Sequence, residues 1–517
     1  MDDRLAAALR LLPVYLGQHV AISASALALG AGLGLPLAVA AARRPRLRWP
    51  LLAVASAIQT VPGLALMALF YPALLALSAL LKPSFGFAVP ALGFPPALMA
   101  LTLYAMLPIL RNGVIGLCGV DRDVVEAAKG VGMTRRQRLL RVEAPLAAPV
   151  VMAGVRTAAV WTIGAATLAT PVGQTSLGNY IFSGLQTENW IFVLFGSVAA
   201  ALLALAVDQL LGLMESGVAR REPRRVLAGL AALASGLVIA VAPLRAGGQA
   251  AYVIGSKNFS EQFILSELIG GRLQALGAAV ERKDGLGSAV IFRALAGGEL
   301  DAYVDYSGTL WANVMGRRDN PPRAAMLGEL TRWMRERYGV VVLGSLGFEN
   351  AYVLAMKRDR AAVLGDSIAD LSPHAARLTL GSDLEFLSRP EWASIKEAYN
   401  LSFKSERTFN PTFMYRALES GEADVISAFS SDGRMAALNL IALKDPRQAI
   451  PAYDAVVLLS PARADDPILR RALEPLLGAI TVENMRTANL MVDRDQDKRS
   501  PAQAARFLAD VSHLAPP

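Results

Sequence analysis

Six apolar runs crowd into the first 245 residues, at about 18–42, 50–81, 89–111, 147–170, 190–214 and 226–244, and they restrict the fold more than any other feature. A bilayer-spanning helix needs roughly 20 mainly apolar residues, and each run is close to that length or beyond it. The second is overlong and is broken by "QTVPG", Gln59 to Gly63. After Ala250 the composition becomes that of a soluble α/β protein. With 54% hydrophobic content and a mean hydropathy of +0.40 over 517 residues, the chain is too apolar for an ordinary soluble enzyme. The expected order is a short extracytoplasmic N-terminus (1–17), an all-α multi-span membrane domain (18–215), a sixth span (226–244) and a globular domain (251–517).

The net charge of +8 is concentrated in alternate loops. Arg43, Arg44, Arg46 and Arg48 follow the first run. Arg122, Lys129, Arg135, Arg136, Arg138 and Arg141 follow the third, and Arg220, Arg221, Arg224 and Arg225 follow the fifth. The loops between them hold little more than Lys82. Basic loops stay in the cytoplasm, so the chain is expected in the cytoplasmic membrane with residues 251–517 outside it. No basic stripe is interleaved with stacking aromatics, which argues against nucleic acid. Trp49 and Trp190 fall at span ends as interfacial anchors. Arg156 and Asp208, near the inner ends of spans four and five, are expected to snorkel.

Cys118 is the one cysteine, so no internal disulfide can form, and His19, His374 and His513 lack metal-site spacing. No GxxxxGK[ST] loop occurs, so ATP hydrolysis is not expected of this chain, nor is any cofactor. Residues 220–250 also read as a secretory signal, basic then apolar then small. Cleavage near Gly248-Gln249-Ala250 would release the outer domain. The apolar stretch is near full span length, which favours a tether, and tethering would raise the effective concentration of the outer domain at the membrane domain.

The longest basic loop, 121–145, holds "DRDVVEAAKGVGMTRRQRLLRVEAP". Asp121 or Asp123 can cap a short helix with small apolar residues on one face, and Gly130 and Gly132 then break it. Pro145 opens the next span at a tolerated first-turn position. Such a compact helix suits a partner's groove. Glu126, Ala127, Ala128, Gly132 and Pro145 have the spacing of the cytoplasmic "EAA" loop of ABC importer permeases. The flanking "IQTVPGLALMAL" and "GVRTAAVWTIGAATLAT" resemble osmoprotectant permeases over about 15–215. Ala144 stands where that family often has Leu. The resemblance implies a coupling helix docked on a separate cytoplasmic ATPase, two permease chains per transporter and a lipid environment. Gln59 and Thr60 interrupt a span, and irregular backbone at membrane depth is tolerated beside a cavity or in buried protein. They are expected to border the translocation path.

Residues 251–517 alternate strand-like and helix-like stretches, the pattern of open α/β sheets, whose ligands bind beyond the carboxyl ends of strands. "GSKNFS" and "YSGT" fall at such ends. A quaternary ammonium ion offers no hydrogen-bond donor and is held by aromatic faces, whereas a carboxylate calls for Lys, Arg or hydroxyls. "GSKNFSEQFILSELI", "DAYVDYSGTL", "GFENAYVLAM", "YRALESGEADVISAFSSDGR" and "PAYDAVVL" resemble the substrate-binding proteins of quaternary-amine ABC importers.

That resemblance implies a two-lobed clamshell, lobe one 251–350 plus 456–517 and lobe two 351–455. Its aromatic cage would be Tyr306, Tyr352, Phe429 and Tyr453, with Phe429 where the family often has Tyr. Lys257, Thr309 and Arg389 would take the ligand's polar end, with Glu385 and Asn350 as weaker candidates. Tyr303 and Trp311 are expected to pack, and Asp301 and Asp305 are assigned no role. The implied function is uptake of an osmoprotectant such as glycine betaine, choline, carnitine or proline betaine. Ergothioneine is the alternative, used by fused chains of similar design. A membrane-anchored sensor is a third reading, which gives the Glu126–Pro145 loop nothing to do.

Overall fold

The computed structural model describes residues 3–514 apart from 86–88, 188, 246–250, 318 and 495. Gly248, Gln249 and Ala250, the expected cleavage position, lie outside the described residues. The chain divides into two compact units, one of Met1–Phe182 with Trp190–Gly248 and the other of Gln249–Pro517 with the short segment Ser183–Asn189, which includes the end of the eighth helix.

The first unit is helical: α1 (Asp3–Arg43), α2 (Pro45–Thr60), α3 (Gly63–Phe85), α4 (Phe94–Cys118), α5 (Arg122–Gly130), α6 (Arg135–Arg138), α7 (Ala144–Ala166), α8 (Gly178–Gln186), α9 (Trp190–Ala219) and α10 (Pro223–Arg245). Five helices among the described residues are long and apolar enough to cross a membrane, or six if α2 and the start of α3 count as one span. The short N-terminus is helical from Asp3 and continuous with α1, because Leu, Ala and Arg in "RLAAALRLL" all favour helix. At 41 residues α1 is roughly twice a bilayer's hydrocarbon thickness in length.

The second run is two helices bent by 100°. Pro62 has no N–H, and the residue before it is pushed out of the helical region; Val61 sits at φ −71, ψ 127. Thr60 Oγ1 donates to Ala57 O at 2.7 Å. From α4, the Tyr104 hydroxyl donates to Val61 O, and Gln59 Nε2 donates to Tyr104 O at 3.1 Å. The freed backbone at the bend is thereby partly satisfied.

Arg156 and Asp208 do not extend separately toward the interface. Arg156 forks onto Asp208 at 3.0 and 2.8 Å and reaches Glu215 at 2.7 Å, joining α7 to α9. An ion in an apolar helix bundle lowers its cost most by pairing with its neighbour.

The second unit holds two five-stranded mixed sheets. Its strands are β1 (Tyr252–Lys257), β2 (Val280–Leu286), β3 (Ala302–Tyr306), β4 (Val341–Glu349), β5 (Tyr352–Lys357), β6 (Thr379–Ser382), β7 (Ser405–Thr408), β8 (Val425–Phe429), β9 (Leu440–Ala442) and β10 (Asp454–Leu459). One sheet has the order β2-β1-β3-β10-β4 and the other β7-β6-β8-β5-β9. The chain passes from the first sheet to the second between β4 and β5, and returns between β9 and β10. Asn350 N donates to Tyr453 O at 3.0 Å, which fastens the two crossings together. Helix α11 (Ser260–Ala275) packs on the first sheet through Ile264, Leu268 and Leu273.

Candidate functional site

Strand polarity brings the aromatic residues to one place. β1 and β3 run parallel and end at Lys257 and Tyr306. β10 runs antiparallel to β3, so its start, just after Tyr453, lies at the same edge, with Ala455 opposite Tyr306. In the other sheet β5 begins at Tyr352 and β8 ends at Phe429, and the two residues are register partners. The first sheet thus presents two strand ends and one antiparallel strand start toward this space, and the second sheet one of each.

That space is a cavity of about 290 Å³. Tyr306, Tyr352, Phe429, Tyr453, Lys257, Thr309, Arg389, Glu385 and Asn350 all line it. Tyr352 packs against Phe429 with ring centres 4.9 Å apart and edge-on to Tyr453 at 5.7 Å. Burial pushes the phenols of Tyr306, Tyr352 and Tyr453 well above their usual range, so these rings stay neutral. The close fit depends on Gly308: a Cβ there would meet the Tyr453 ring at 2.8 Å. Tyr303 and Trp311 pack, with Tyr303 donating to Asp305 at 2.6 Å and Trp311 Nε1 to Asp319 O at 2.8 Å.

The two cations reach the cavity already countered. Lys257 Nζ pairs with Asp305, both almost wholly buried, and lies 5.3 Å from the Tyr306 ring centre. Asp305, without a role in the sequence, therefore holds Lys257 in place. The Arg389 guanidinium lies 5.1 Å from the Tyr352 ring centre. It pairs with Glu385 and, at 3.4 Å, with both Glu391 and Thr309 Oγ1. Its Nε is buried and has no hydrogen-bond partner among the described residues. Glu385 also accepts from Ser288 Oγ at 2.8 Å, a contact between the first-sheet and second-sheet sides of the cavity.

Several residues with a part here escaped the sequence reading. Phe259 stacks on Phe429 at 6.1 Å with planes 5° apart and on Tyr306 at 6.2 Å. It sits in "GSKNFS", a loop at a strand's carboxyl end, and that position was the available signal. Glu391 accepts from the Tyr453 hydroxyl. Asp383 caps the helix Leu384–Ser388 through Oδ1, while its Oδ2 is buried and unpartnered among the described residues. Burial raises its pKa above the usual carboxylate value.

In the helical unit, α5 is capped by Asp121, which accepts from Asp123 N at 2.8 Å. Glu126 and Ala127 are exposed and Ala128 is buried. Gly132 turns the chain at φ +78, and Pro145 lies in the first turn of α7. Between them, buried Glu143 takes Arg43 from the end of α1 and Arg138 from α6. Gln59 is half-buried and Thr60 exposed at the α2–α3 bend.

Residues 250–510 match the family described as the substrate binding domain of ABC-type glycine betaine transport systems. Residues 32–220 match the binding-protein-dependent transport system inner membrane component. The chain belongs to these families of ABC importers. Permease and binding domain are here one importer chain. It is 29% identical over 477 residues to the ergothioneine transport permease/ergothioneine binding protein EgtU of Helicobacter pylori, covering 88% of this chain and 82% of that one. To the choline transport system permease protein OpuBB of Bacillus subtilis it is 39% identical over 165 residues, 32% of this chain and 69% of that one. A solved glycine betaine/carnitine/choline ABC transporter structure covers 51% of this chain and 99% of its own, at 24% identity and a TM-score of 0.45.

Proposed function

We propose that this importer chain takes up a betaine, a small molecule with a trimethylammonium group at one end and a carboxylate at the other. One observation carries the reading. Tyr306, Tyr352, Phe429 and Tyr453, with Phe259 and Phe409 beside them, and Arg389, with its Nε unpartnered among the described residues, line a single cavity. Each ring can contribute about 0.5–2 kcal/mol to holding a desolvated cation. A ligand carboxylate would supply the acceptor that Arg389 Nε lacks. The sequence spacing of Glu126, Ala127 and Ala128 supports docking of a separate ATPase chain at α5. We assign two permease chains to the assembly and the binding domain to the outer side of the cytoplasmic membrane. Gln59 and Thr60 are assigned to the translocation path, and unchanged transport in Gln59→Leu and Thr60→Val variants would remove them from it.

The deciding experiment titrates the full chain in detergent with glycine betaine, choline, carnitine and ergothioneine by calorimetry. Glycine betaine or carnitine is expected to bind more tightly than choline. If none of the four binds more tightly than about 1 mM, the reading fails.

A second reading, ergothioneine, is favoured by a specific atom. Glycine betaine carries no N–H, so Asp383 Oδ2 gains no donor from it, and a buried acceptor without a partner costs about 1–3 kcal/mol. The imidazole ring of ergothioneine brings such a donor along with its trimethylammonium and carboxylate groups. The similarity to an ergothioneine transporter over most of the chain points the same way. Under this reading Asp383→Asn weakens ergothioneine binding about tenfold and leaves glycine betaine within about twofold.

A further inference from the structure

Behind the cavity wall lies a carboxylate that neither recognition nor ion pairing explains. Glu261, at the start of α11, is enclosed and has no cationic partner in its hydrogen-bond set. Four neutral groups donate to it. Oε1 takes the Tyr306 hydroxyl at 2.5 Å and Asn350 Nδ2 at 3.0 Å. Oε2 takes Ser431 Oγ at 2.6 Å and Asn489 Nδ2 at 2.9 Å. An anion with all its acceptor sites filled by fixed dipoles is held in one orientation, and it holds its donors equally.

Two of those donors line the ligand cavity. The Tyr306 hydroxyl donates to Glu261 and accepts from Gln262 Nε2 at 2.9 Å, so both its capacities are used inside the protein. The ring is what remains for a ligand. Asn350 spends its N–H₂ on Glu261, and its Oδ1 is buried without a partner among the described residues. An amide free to turn could offer the cavity either end. With Glu261 in place the donor end is taken, and the electronegative Oδ1 is the end of this lining amide that is left without a partner among the described residues.

We propose that Glu261 is a positioning residue for cation recognition, fixing the Tyr306 ring and the polarity of the Asn350 amide so that the wall is suited to a trimethylammonium group. It touches no ligand and acts through these two side chains. The inference rests on the cavity being a trimethylammonium site. Ser431 and Asn489 serve the other oxygen and tie the same carboxylate to the segment after β8 and to the helix Val482–Asp493.

The test is a double-mutant cycle on the full chain in detergent, with the tightest-binding ligand of the four-compound titration as probe and thermal unfolding as the folding control. Glu261→Ala is expected to weaken binding about twentyfold, and the same change in a Tyr306→Phe/Asn350→Ala background to cost less than about twofold more. A general packing role would give the same loss in both backgrounds and would overturn the proposal. Asn489→Ala removes a donor remote from the cavity and is expected to leave affinity within about twofold; a loss as large as that of Glu261→Ala would also overturn it. Should Glu261→Ala give no folded chain, Tyr306→Phe decides alone. It keeps the ring and loses only the held hydroxyl, with an expected loss of about fivefold, and unchanged affinity would sink the idea. A wild-type chain that binds none of the four compounds refutes the betaine reading itself, which distinguishes the two failures.

Discussion

In the helical unit Arg156 takes two carboxylates, Asp208 and Glu215, whereas in the two-sheet unit Glu261 takes four neutral donors and no cation. The difference follows from what each fold has to spare. A membrane helix spends its backbone N–H groups on itself, so a charge on one helix is best met by an opposite charge on the next. Strand ends, crossings and loops leave amide and hydroxyl donors unspent, and several can converge on one anion. Ion pairs in the first unit therefore join helices, while the polar network of the second fixes side chains that line the cavity.

The largest effect is expected where a charge is stranded. Arg156→Met leaves Asp208 and Glu215 without their cation, and the yield of monodisperse chain in detergent should fall about tenfold. The triple change Arg156→Met, Asp208→Asn and Glu215→Gln should recover most of it. Normal yield from the single variant would show that the helices do not depend on this pairing.

Arg389→Met tests the ligand's polar end. Betaine affinity is expected to drop about a hundredfold and choline affinity less than about threefold, because only the betaine carries a carboxylate. Equal losses in calorimetry would remove Arg389 from carboxylate recognition.

Glu143→Gln releases Arg43 and Arg138 at the basic 121–145 loop while leaving the cavity untouched. Ligand affinity should hold while transport by the assembled importer falls about fivefold, the mark of a defect in positioning α5 and α6 rather than in binding. A parallel loss of affinity would contradict the separation of the two units' roles.

The smallest effect compares like with like. The two-sheet unit has its own pair of acids beside one arginine, Asp432 and Asp493 with Arg434. Burial raises Asp493 from 3.8 to about 6, Arg434 pulls it down and Asp432 pushes it up. A carboxylate raised by folding binds its proton more tightly in the folded state, so its contribution is complete at low pH and is lost as pH rises from about 4 to about 6. Relative to wild type, Asp493→Asn should gain a few degrees of unfolding midpoint across that window. A difference that does not change with pH would mean Asp493 does not titrate there.

That Tyr306, Tyr352, Phe429 and Tyr453 meet at one cavity was legible because each sits at a recognisable strand end in a motif. Glu261, Glu391 and Asp305 were not, because a buried carboxylate is defined by its partners. Those of Glu261 come from positions 306, 350, 431 and 489, which no local pattern connects. Apolar runs likewise revealed most of the helices by length alone. The 100° bend depended on Pro62 together with Tyr104 and Gln59, and the Arg156 pairing on residues 52 and 59 positions away.

Composition and pattern were enough to establish that this chain carries long apolar helices and then an α/β domain, because hydropathy and strand–helix alternation are properties of contiguous residues. Which way Asn350 turns, which carboxylate holds Lys257 and which acid meets Arg156 required the folded chain. Those are choices among hydrogen-bond and charge partners, and they are made only when distant segments come within about 3 Å of one another.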